Sequence, residues 1–510
     1  MEERVRRLIR RLQGGSQTGQ DICRQMGVSR PTLSRLMDDC REAYPGFLCQ
    51  IGSARSTRYA WTVSVVDHPN RPWAVPVYEV TPSGHVQTFG MLTVLHADEY
   101  LFTPESAETA RRFPRGWIRA HYEGIPWFLQ DVRPQGYLGR TLAQSLFLDR
   151  GDVGASVSLQ GLPEHVHQWN DAQVLRVISR AGNDPPGCFV VSDASADRIV
   201  REREARSILV EDRPDIYALQ VREMISGQWV PHSSAGGEQP KFTACVRNDE
   251  DNSLRQVLVK FSPPDSGYND RVSRRWRDLL IAEFHALSVL ARYGVPAAVP
   301  DLLRGVDDRW FLESPRFDRS GQSGRLPVFS LRTIMLETVG DLPAWVTSAE
   351  RLYEQGVIDA HSKEQIFLMD AYGHFIGNTD RHPGNLSFTL SEQHDSFGKF
   401  NLAPAYDMLP MQYAPDTQGS MVPNFRTIPP YAVQHDQVDM ARDMAFVFWS
   451  AVAGDARVSE EFLEMAMVHA EALAESLRVD MGDMDDEDVL PNEAAAEADK
   501  VEQGREMTVG

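Results

Sequence analysis

The sequence predicts an α+β protein in which a β-rich part precedes an α-rich part. Residues 77–102 and 243–262 each alternate apolar and polar side chains on both sides of a turn, a pattern typical of paired strands. After residue 275 the pattern changes, and the apolar side chains from Leu280 to Leu290 recur at the spacing of one helix face. We therefore expect the sheets and the helices to occupy separate parts of the body.

Length and composition indicate an ordinary globular protein with several domains. The 510 residues exceed what one small core can hold, and 42% hydrophobic with 24% charged residues is a usual globular balance. No run of about 18 apolar residues occurs, and the charged first residues precede no apolar stretch, so we expect neither a membrane partner nor a secretory signal. Five scattered cysteines without a C-x-x-C pattern indicate a reducing compartment, so we expect a cytoplasmic protein.

Charge is unevenly distributed along the chain. The formal net charge is −20, but residues 1–60 hold eleven Arg against six acidic residues, a balance of +5. Residues 479–510 carry −9 and no aromatic side chain, which predicts an acidic, disordered tail and leaves −16 for the rest. Before this tail we expect a basic head at 1–65, a β-rich subdomain at 66–160 and a larger domain at 161–478.

The basic head has the spacing of a helix-turn-helix motif. Ile22 and Met26 lie four residues apart, Leu33 and Leu36 lie three apart, and Gly27 supplies the positive φ of a tight turn between them. This spacing and the positive charge favour duplex DNA, bound by a homodimer, over a helical domain used for protein contacts. A winged hairpin is expected after the second helix. The side chains expected to contact DNA on that helix and hairpin are Arg30, Thr32, Ser34, Arg35, Arg55 and Arg58.

Four segments of the body together indicate phosphoryl transfer. They are SSAGGEQPKF at 233–242, the strand VLVKFS that carries Lys260, GNTDRHPGN at 377–385 and LAPAYDMLP at 402–410. Phosphoryl transfer needs glycine-rich backbone and Lys near the phosphates, carboxylate and amide oxygens for Mg²⁺, and a carboxylate beside the attacking hydroxyl. The segments supply each of these groups, so we expect a phosphotransferase with Mg²⁺ as the cofactor.

Spacing within the third and fourth segments selects the individual side chains. Asp380 and Asn385 lie five residues apart, as the catalytic Asp and the metal-binding Asn of kinase catalytic loops do. Asp407 follows 22 residues after Asn385, where a second metal-binding residue is expected. A zinc site made from His374, His382 and Asp380 is disfavoured because no fourth ligand lies nearby in the sequence.

Together with PRFDR at 315–319, these segments resemble, in order, the motifs of the HipA family of bacterial toxin kinases. The similarity covers about residues 75–450, and the fused helix-turn-helix is most like the YjjJ (HipH) branch. It implies a bilobed, protein-kinase-like fold, with an N-lobe to about residue 312 and a helical C-lobe after it. It also implies a toxin–antitoxin kinase that phosphorylates Ser or Thr of a protein, such as the translation machinery, with ATP and Mg²⁺.

The resemblance implies a role for each matching residue of the catalytic motifs. Asp380 would be the catalytic base, and Asn385 and Asp407 would hold Mg²⁺ while contacting ATP. Lys260 would contact the α- and β-phosphates. Glu283, on the helix that follows, is a candidate ion-pair partner of Lys260 by spacing alone.

The resemblance also implies an adenine hinge and a phosphorylated loop. Phe317 and Pro315 would flank adenine, although Pro315 stands where the family often has Glu, so only a backbone contact would survive there. The residues of the loop near the phosphates would be Gly236, Gly237, Lys241 and the autophosphorylated Ser234, with Ser233 as the alternative.

Two other functions are compatible with the same residues. The D-R-H-x-x-N pattern also resembles phosphoinositide-kinase loops, and H-P-G-N resembles small-molecule phosphotransferases, so the acceptor could be a lipid or a small molecule. Alternatively, the chain would be a DNA-binding repressor with a non-catalytic kinase-like body. Retention of Lys260, Asp380, Asn385 and Asp407 disfavours the repressor.

Overall fold

The computed structural model has mixed α and β structure. Its described residues are 2–53, 57–66, 68–147, 161–182, 184–201, 207–226, 237, 239–264, 271–338, 340, 344–391, 399–416, 419–421 and 435–487. Of the site residues predicted above, Arg55, Ser233, Ser234 and Gly236 lie outside these ranges.

The described part of the head contains three helices and a small antiparallel sheet around one core. Its elements are α1 (Glu2–Leu12), β1 (Gln17–Thr18), α2 (Gly19–Met26), α3 (Arg30–Ala43), β2 (Leu48–Ile51) and β3 (Arg58–Trp61). Gly27, between α2 and α3, has a φ of +67°, and the hydroxyl of Ser29 accepts a hydrogen bond from the N–H of Thr32. The helix pair, its turn and the following hairpin therefore lie where the spacing predicts them.

The middle region forms a five-stranded antiparallel sheet with the strand order β10-β6-β7-β8-β9. Its strands, with the preceding hairpin, are β4 (Ser64–Val65), β5 (His68–Pro72), β6 (Ala74–Val80), β7 (Val86–Val94), β8 (Glu99–Pro104), β9 (His121–Glu123) and β10 (Phe189–Val191). Its helices are α4 (Ala107–Arg111), a 3-10 helix (Trp127–Val132), α5 (Gly136–Phe147), a second 3-10 helix (Val166–Gln168), α6 (Asp171–Ala181) and α7 (Asp193–Arg201).

One predicted domain boundary is corrected by this sheet. Strand β10 pairs antiparallel with β6, so the middle region continues to α7 and does not end at residue 160. The sequence could not reveal this pairing, because it joins residues more than 100 positions apart through a strand of three residues.

A second five-stranded sheet carries the strand pair predicted around residue 250. Its strand order is β11-β12-β13-β15-β14, and β11 is parallel to β12 while the other pairs are antiparallel. The elements are β11 (Ile208–Leu209), α8 (Arg213–Ile225), β12 (Lys241–Arg247), β13 (Leu254–Phe261), α9 (Arg271–Arg292), β14 (Asp301–Arg304) and β15 (Trp310–Pro315). The predicted strands and the long apolar-faced helix after residue 275 are confirmed.

The remaining part is mostly helical, as predicted. Its strands are β16 (Arg319–Ser320), β17 (Gly324–Arg325), β18 (Val328–Ser330), β19 (Ser387–Leu390) and β20 (Phe400–Leu402). Its helices are α10 (Leu331–Met335), α11 (Trp345–Glu354), α12 (Ala360–Phe375), 3-10 helices at Pro383–Asn385 and Met411–Tyr413, α13 (His435–Ala453) and α14 (Glu460–Glu487). Fully buried aromatic side chains, among them Tyr372, Phe448 and Trp449, fill the space between α12 and α13.

The last helix continues past the predicted start of the tail. Helix α14 ends at Glu487, so residues 479–487 are helical, and residues 488–510 lie outside the described ranges. Acidic composition alone misplaced this boundary, since Met, Glu and Asp do not break a helix and the first proline is Pro491. Over the described residues, no helix combines the length and apolar character that a membrane span requires.

Candidate active site

A cavity of about 370 Å³ gathers the predicted site residues, and its size suits a small-molecule ligand. Every predicted catalytic, ATP-binding or metal-binding residue that the structure describes lines it, namely Gly237, Lys241, Lys260, Pro315, Phe317, Asp380, Asn385 and Asp407. The cavity lies between the second sheet and the helical part, and its lining residues run from Asp131 to Asp407 in sequence.

Lys260 occupies the centre of a buried ionic cluster. Its Nζ lies 2.6 Å and 2.7 Å from the two carboxylate oxygens of Glu283 on α9, and it also donates to Oδ1 of Asp407. The side chains of Lys260 and Glu283 are almost fully buried. The candidate pairing of Lys260 with Glu283, inferred from spacing, is therefore present.

A second cation balances the cluster. Lys241 is fully buried and lies directly opposite Lys260 in the β12–β13 ladder. Two like charges in that position repel each other, but Glu283 and Asp407 bring the net charge of the four side chains to zero. Burial would raise the pKa of Asp407, yet Lys260 and Lys241 hold it at about 2, so its carboxylate is ionised near neutral pH.

The backbone at Asp407 adopts an uncommon conformation. Its φ is +53°, in the left-handed region that non-glycine residues rarely occupy. The next residues, Met408 and Leu409, are buried in the helical core and hold the chain in place. Such conformations persist where surrounding packing enforces them and are concentrated at functional sites.

Asp380 and Asn385 lie in the loop that follows α12. The side-chain nitrogen Nδ2 of Asn385 donates to the backbone oxygen of Asp380 at 3.0 Å and to Oδ2 of Asp380 at 3.1 Å. The side chain of Asn378 accepts a hydrogen bond from the N–H of Asp380, which fixes the start of the loop. The Asp380 carboxylate is about half exposed, 47%, and faces the cavity. One oxygen of this carboxylate is thus held by Asn385, and the group stays accessible from the cavity.

Pro315, the last residue of β15, and Phe317 also line the cavity. The ring of Phe317 packs against that of Tyr406 with centroids 5.6 Å apart. Leu258, Ala298 and Val328 add apolar surface to the cavity. A flat, uncharged group fits such a wall.

A buried ionic cluster that the sequence did not reveal holds this hinge. Arg316 and Arg319 each lie 2.7 Å from Asp184 of the middle region and also pair with Asp318. Burial would raise the pKa of Asp318, but the two arginines hold it at about 2. The N–H of Gly187 donates to Asp318 as well. Only the partner Asp184 lies outside the PRFDR motif, and no local pattern marks it.

Other cavity residues missed from the sequence come from the middle region. Asp131, Gln135, Gly136 and Pro186 all line the cavity. The carboxylate of Asp131 accepts two hydrogen bonds from Ser330, one from its N–H and one from its hydroxyl, and burial raises the pKa of Asp131. The cavity is therefore composed of residues from both parts of the body.

The donor chemistry of the cavity fits Mg²⁺. Asp407, with an ionised carboxylate, and Asn385, whose side chain carries an amide oxygen, line the same cavity, and Mg²⁺ needs one or two such ligands besides phosphate oxygens. Within the described ranges, no three His, Cys, Asp or Glu side chains converge on a metal-binding position.

The DNA-contact residues predicted in the head have different environments. Arg30, Ser34 and Arg35 are exposed on α3, whereas Thr32 is half-buried and its hydroxyl hydrogen-bonds that of Ser29. Arg58 lies at the first position of β3, and its guanidinium donates to the hydroxyl and the backbone oxygen of Ser16. Arg58 pairs with Ile51, the last residue of β2, so it lies at the turn end of the hairpin, near the tip predicted for it, and there it ties β3 to the segment before β1.

Comparison with known proteins identifies the family. Residues 71–200 match the family described as YjjJ-like toxin, middle domain, and residues 233–476 match the HipA-like C-terminal domain. Toxin YjjJ of Escherichia coli K12 is 32% identical over 459 residues, which cover 89% of this chain and 94% of that protein. The chain belongs to the YjjJ-type family of HipA-like toxins. The resemblance noted in the motifs is confirmed.

Solved structures similar to this YjjJ-type toxin share little sequence with it. A Shewanella oneidensis complex of HipA, HipB and operator DNA contains a chain with a TM-score of 0.43 and 13% identity, covering 78% of this chain and 95% of that one. The Helicobacter pylori proinflammatory kinase CtkA has a TM-score of 0.33 and 15% identity, covering 47% and 88% of the two chains.

Proposed function

We propose that this YjjJ-type toxin is an ATP-dependent serine/threonine-protein kinase that carries its own DNA-binding head. The observation that carries the proposal is one cavity in which the Lys260–Glu283 ion pair and Asp407 face the Asp380–Asn385 loop. A lysine for the phosphates, ligands for a metal and an accessible carboxylate for the acceptor are what phosphoryl transfer requires.

Lys260 and Lys241 bind the phosphates of ATP in this proposal. Glu283 holds Lys260 at 2.6 Å and so fixes the position of its charge before ATP arrives. The chain as a whole carries −20, so attraction of ATP has to be local and cannot come from a general positive field. Two buried ammonium groups opposite each other in one ladder provide local donors for the phosphate oxygens, and bound Mg²⁺ would add the positive charge that Glu283 and Asp407 cancel on the lysines.

Adenine binds between the apolar wall and the hinge. Phe317 provides a ring face, and the backbone around Pro315 provides the polar contacts, because proline itself carries no N–H. The buried pairs of Arg316 with Asp184 and Asp318 hold the hinge so that this surface is preformed.

Asp380 acts as the base toward the acceptor hydroxyl. Asn385 holds one carboxylate oxygen of Asp380, and the accessible side accepts the proton as the hydroxyl oxygen bonds to the γ-phosphorus. The bond from that phosphorus to the bridging oxygen breaks, and ADP leaves. Mg²⁺, held by Asn385 and Asp407, supplies neutralisation of phosphate charge when bound.

Two regulatory features belong to the proposal. Phosphate on Ser234, or on Ser233, would add about −1.5 to −2 charges beside the ATP phosphates and inhibit the enzyme. The head would bind duplex DNA as a winged helix-turn-helix through Arg30, Ser34 and Arg35 on α3, as a homodimer on paired half-sites.

Asp380→Asn tests the proposed reaction. We expect wild-type chain to turn over ATP and to add phosphates to Ser or Thr of other proteins, mapped by mass spectrometry of expressing cells. The Asp380→Asn variant should keep its thermal unfolding midpoint and lose both activities, because the amide cannot accept the proton. Equal turnover in the two proteins would contradict the role of Asp380. New phosphosites restricted to the toxin itself would indicate a lipid or small-molecule acceptor, and ATP binding without turnover by wild type would indicate a non-catalytic body.

A further inference from the structure

The first turn of α5, in the middle region, lies directly against the phosphate-proximal loop. A Cβ added to Gly136 would lie 2.3 Å from the backbone oxygen of Gly237 and 2.8 Å from its nitrogen. The N–H of Tyr137 donates to that same oxygen at 2.9 Å. Gly136 also has a φ of +60°, so any other residue at this position is both strained and in collision.

The Tyr137 side chain anchors this turn in the second sheet. Its ring packs against the core formed with Tyr217, Met224 and Phe242, and its hydroxyl lies 3.1 Å from the sulfur of Met224. These residues belong to α8 and β12. The start of α5 is therefore attached to the sheet that carries Lys241 and Lys260, although the rest of the helix belongs to the middle region.

Gly237 in turn lies against the ionic cluster around Lys260. A Cβ on Gly237 would lie 2.4 Å from Nζ of Lys241 and 3.7 Å from Oδ2 of Asp407. The backbone of Gly237 is thus packed between Gly136 on one side and the Lys241 ammonium on the other. A shift at Gly136 would move the loop backbone relative to the charges that bind phosphate.

We propose that Gly136 and Tyr137 are positioning residues that set the phosphate-binding loop of the kinase from the middle region. This inference rests on the proposed function, since it assigns the loop at Gly237 to the phosphates of ATP. The middle region then determines affinity for the phosphates, whereas affinity for the nucleoside depends on the hinge at Phe317. A ligand that carries phosphates and a nucleoside that carries none therefore report the two affinities separately.

Gly136→Ala in the full chain tests the proposal, with Gly116→Ala as the matched control. Gly116 also lies in the middle region at a positive φ, +87°, but a Cβ there meets nothing within 4 Å. Calorimetry with the ATP analogue AMP-PNP and with adenosine measures the two affinities. We expect Gly136→Ala to bind AMP-PNP about tenfold more weakly, as for one displaced hydrogen bond to a charged group, and adenosine as wild type does. Gly116→Ala should bind both ligands normally.

Equal weakening for AMP-PNP and adenosine, or no weakening, would overturn the proposal. If Gly136→Ala does not unfold cooperatively, Tyr137→Ala replaces it, because that change removes the anchor without placing an atom against Gly237. It should also weaken AMP-PNP selectively, and the same two results would overturn the proposal. A wild-type chain that binds neither ligand would instead refute the proposed kinase function.

Discussion

Glu283→Gln should reduce both stability and activity, because Glu283 holds Lys260 in the cavity. The substitution keeps the side-chain volume and one acceptor oxygen but removes a buried negative charge 2.6 Å from Lys260. Complete loss of a partner from a buried pair costs about 3–5 kcal/mol, and loss of one hydrogen bond to a charged group about 1.5–3 kcal/mol. Asp407 still contacts Lys260, so we expect the smaller figure, about 2 kcal/mol, in the free energy of unfolding.

The same substitution should change the chemistry more than the stability. Without Glu283, the Lys260 ammonium pairs only with Asp407, one of the two proposed metal ligands, and moves away from the phosphates. A displacement of about 1 Å in a catalytic group can lower the rate about 100-fold. We therefore expect a loss of that size in kcat/KM for ATP, measured by ATP turnover of the full chain at a temperature where it stays folded.

Glu313→Gln provides the matched control for this experiment. Glu313 is also fully buried in the second sheet, where it contacts Arg213 at 3.0 Å, Arg255 at 2.6 Å and the Tyr217 hydroxyl at 2.6 Å. It does not line the cavity. Its substitution should lower the urea midpoint as Glu283→Gln does and leave kcat/KM unchanged. If both variants lose activity equally, the ion pair has only a structural role and our reasoning is refuted.

Two further predictions concern pH and DNA. Burial lowers the pKa of His469 to about 4 from 6.5, so the unfolded chain binds the proton first and stability should fall as pH drops from about 6.5 to about 4. The free energy of unfolding, measured by urea titration at a series of pH values, should fall by up to about 3 kcal/mol over this range. His469→Gln should flatten this pH profile. Identical profiles for the variant and the wild type would contradict the assignment. Arg35→Ala should lower the slope of log affinity for duplex DNA against log salt by about one, because it removes a phosphate contact. Arg41→Ala, in the last turn of α3 and paired with Asp38, should leave the slope unchanged, and an unchanged slope for Arg35→Ala would exclude Arg35 as a phosphate contact.

Local sequence patterns were sufficient to pick out several polar residues that line the cavity. Lys260, Asp380, Asn385 and Asp407 each lie in a short segment whose spacing reflects what one loop or strand needs, and all four line one cavity. Alternation and helical periodicity likewise located β12, β13 and α9, because those patterns follow from which face of a single element is buried. Charge counts set the start of the tail at residue 479, although α14 continues to Glu487.

Residues whose role depends on a distant partner could not be predicted. Asp184 pairs with residues more than 130 positions away, and Gly136 meets a glycine 101 positions later. Neither has a neighbouring pattern, because a single buried acid or a single glycine before a helix occurs at many structural positions. Two buried clusters in the second sheet, around Lys260 and around Glu313, have the same balance of charges, and only the cavity beside Lys260 distinguishes them.

The packing of the body explains why the middle region can influence the catalytic residues. One continuous core joins Phe102 and Phe128 of the middle region to Leu287 on α9 and to Phe448 in the helical part. Interiors packed at this density transmit displacements because they have few voids in which to absorb them. Gly136 lines the cavity directly, and Asp184 pairs with Arg316, which also lines it, so the middle region reaches the cavity at two places. A substitution at Asp184 or at Gly136 that leaves this core intact should therefore alter nucleotide binding through that one contact. The other contact should stay folded as in the wild type.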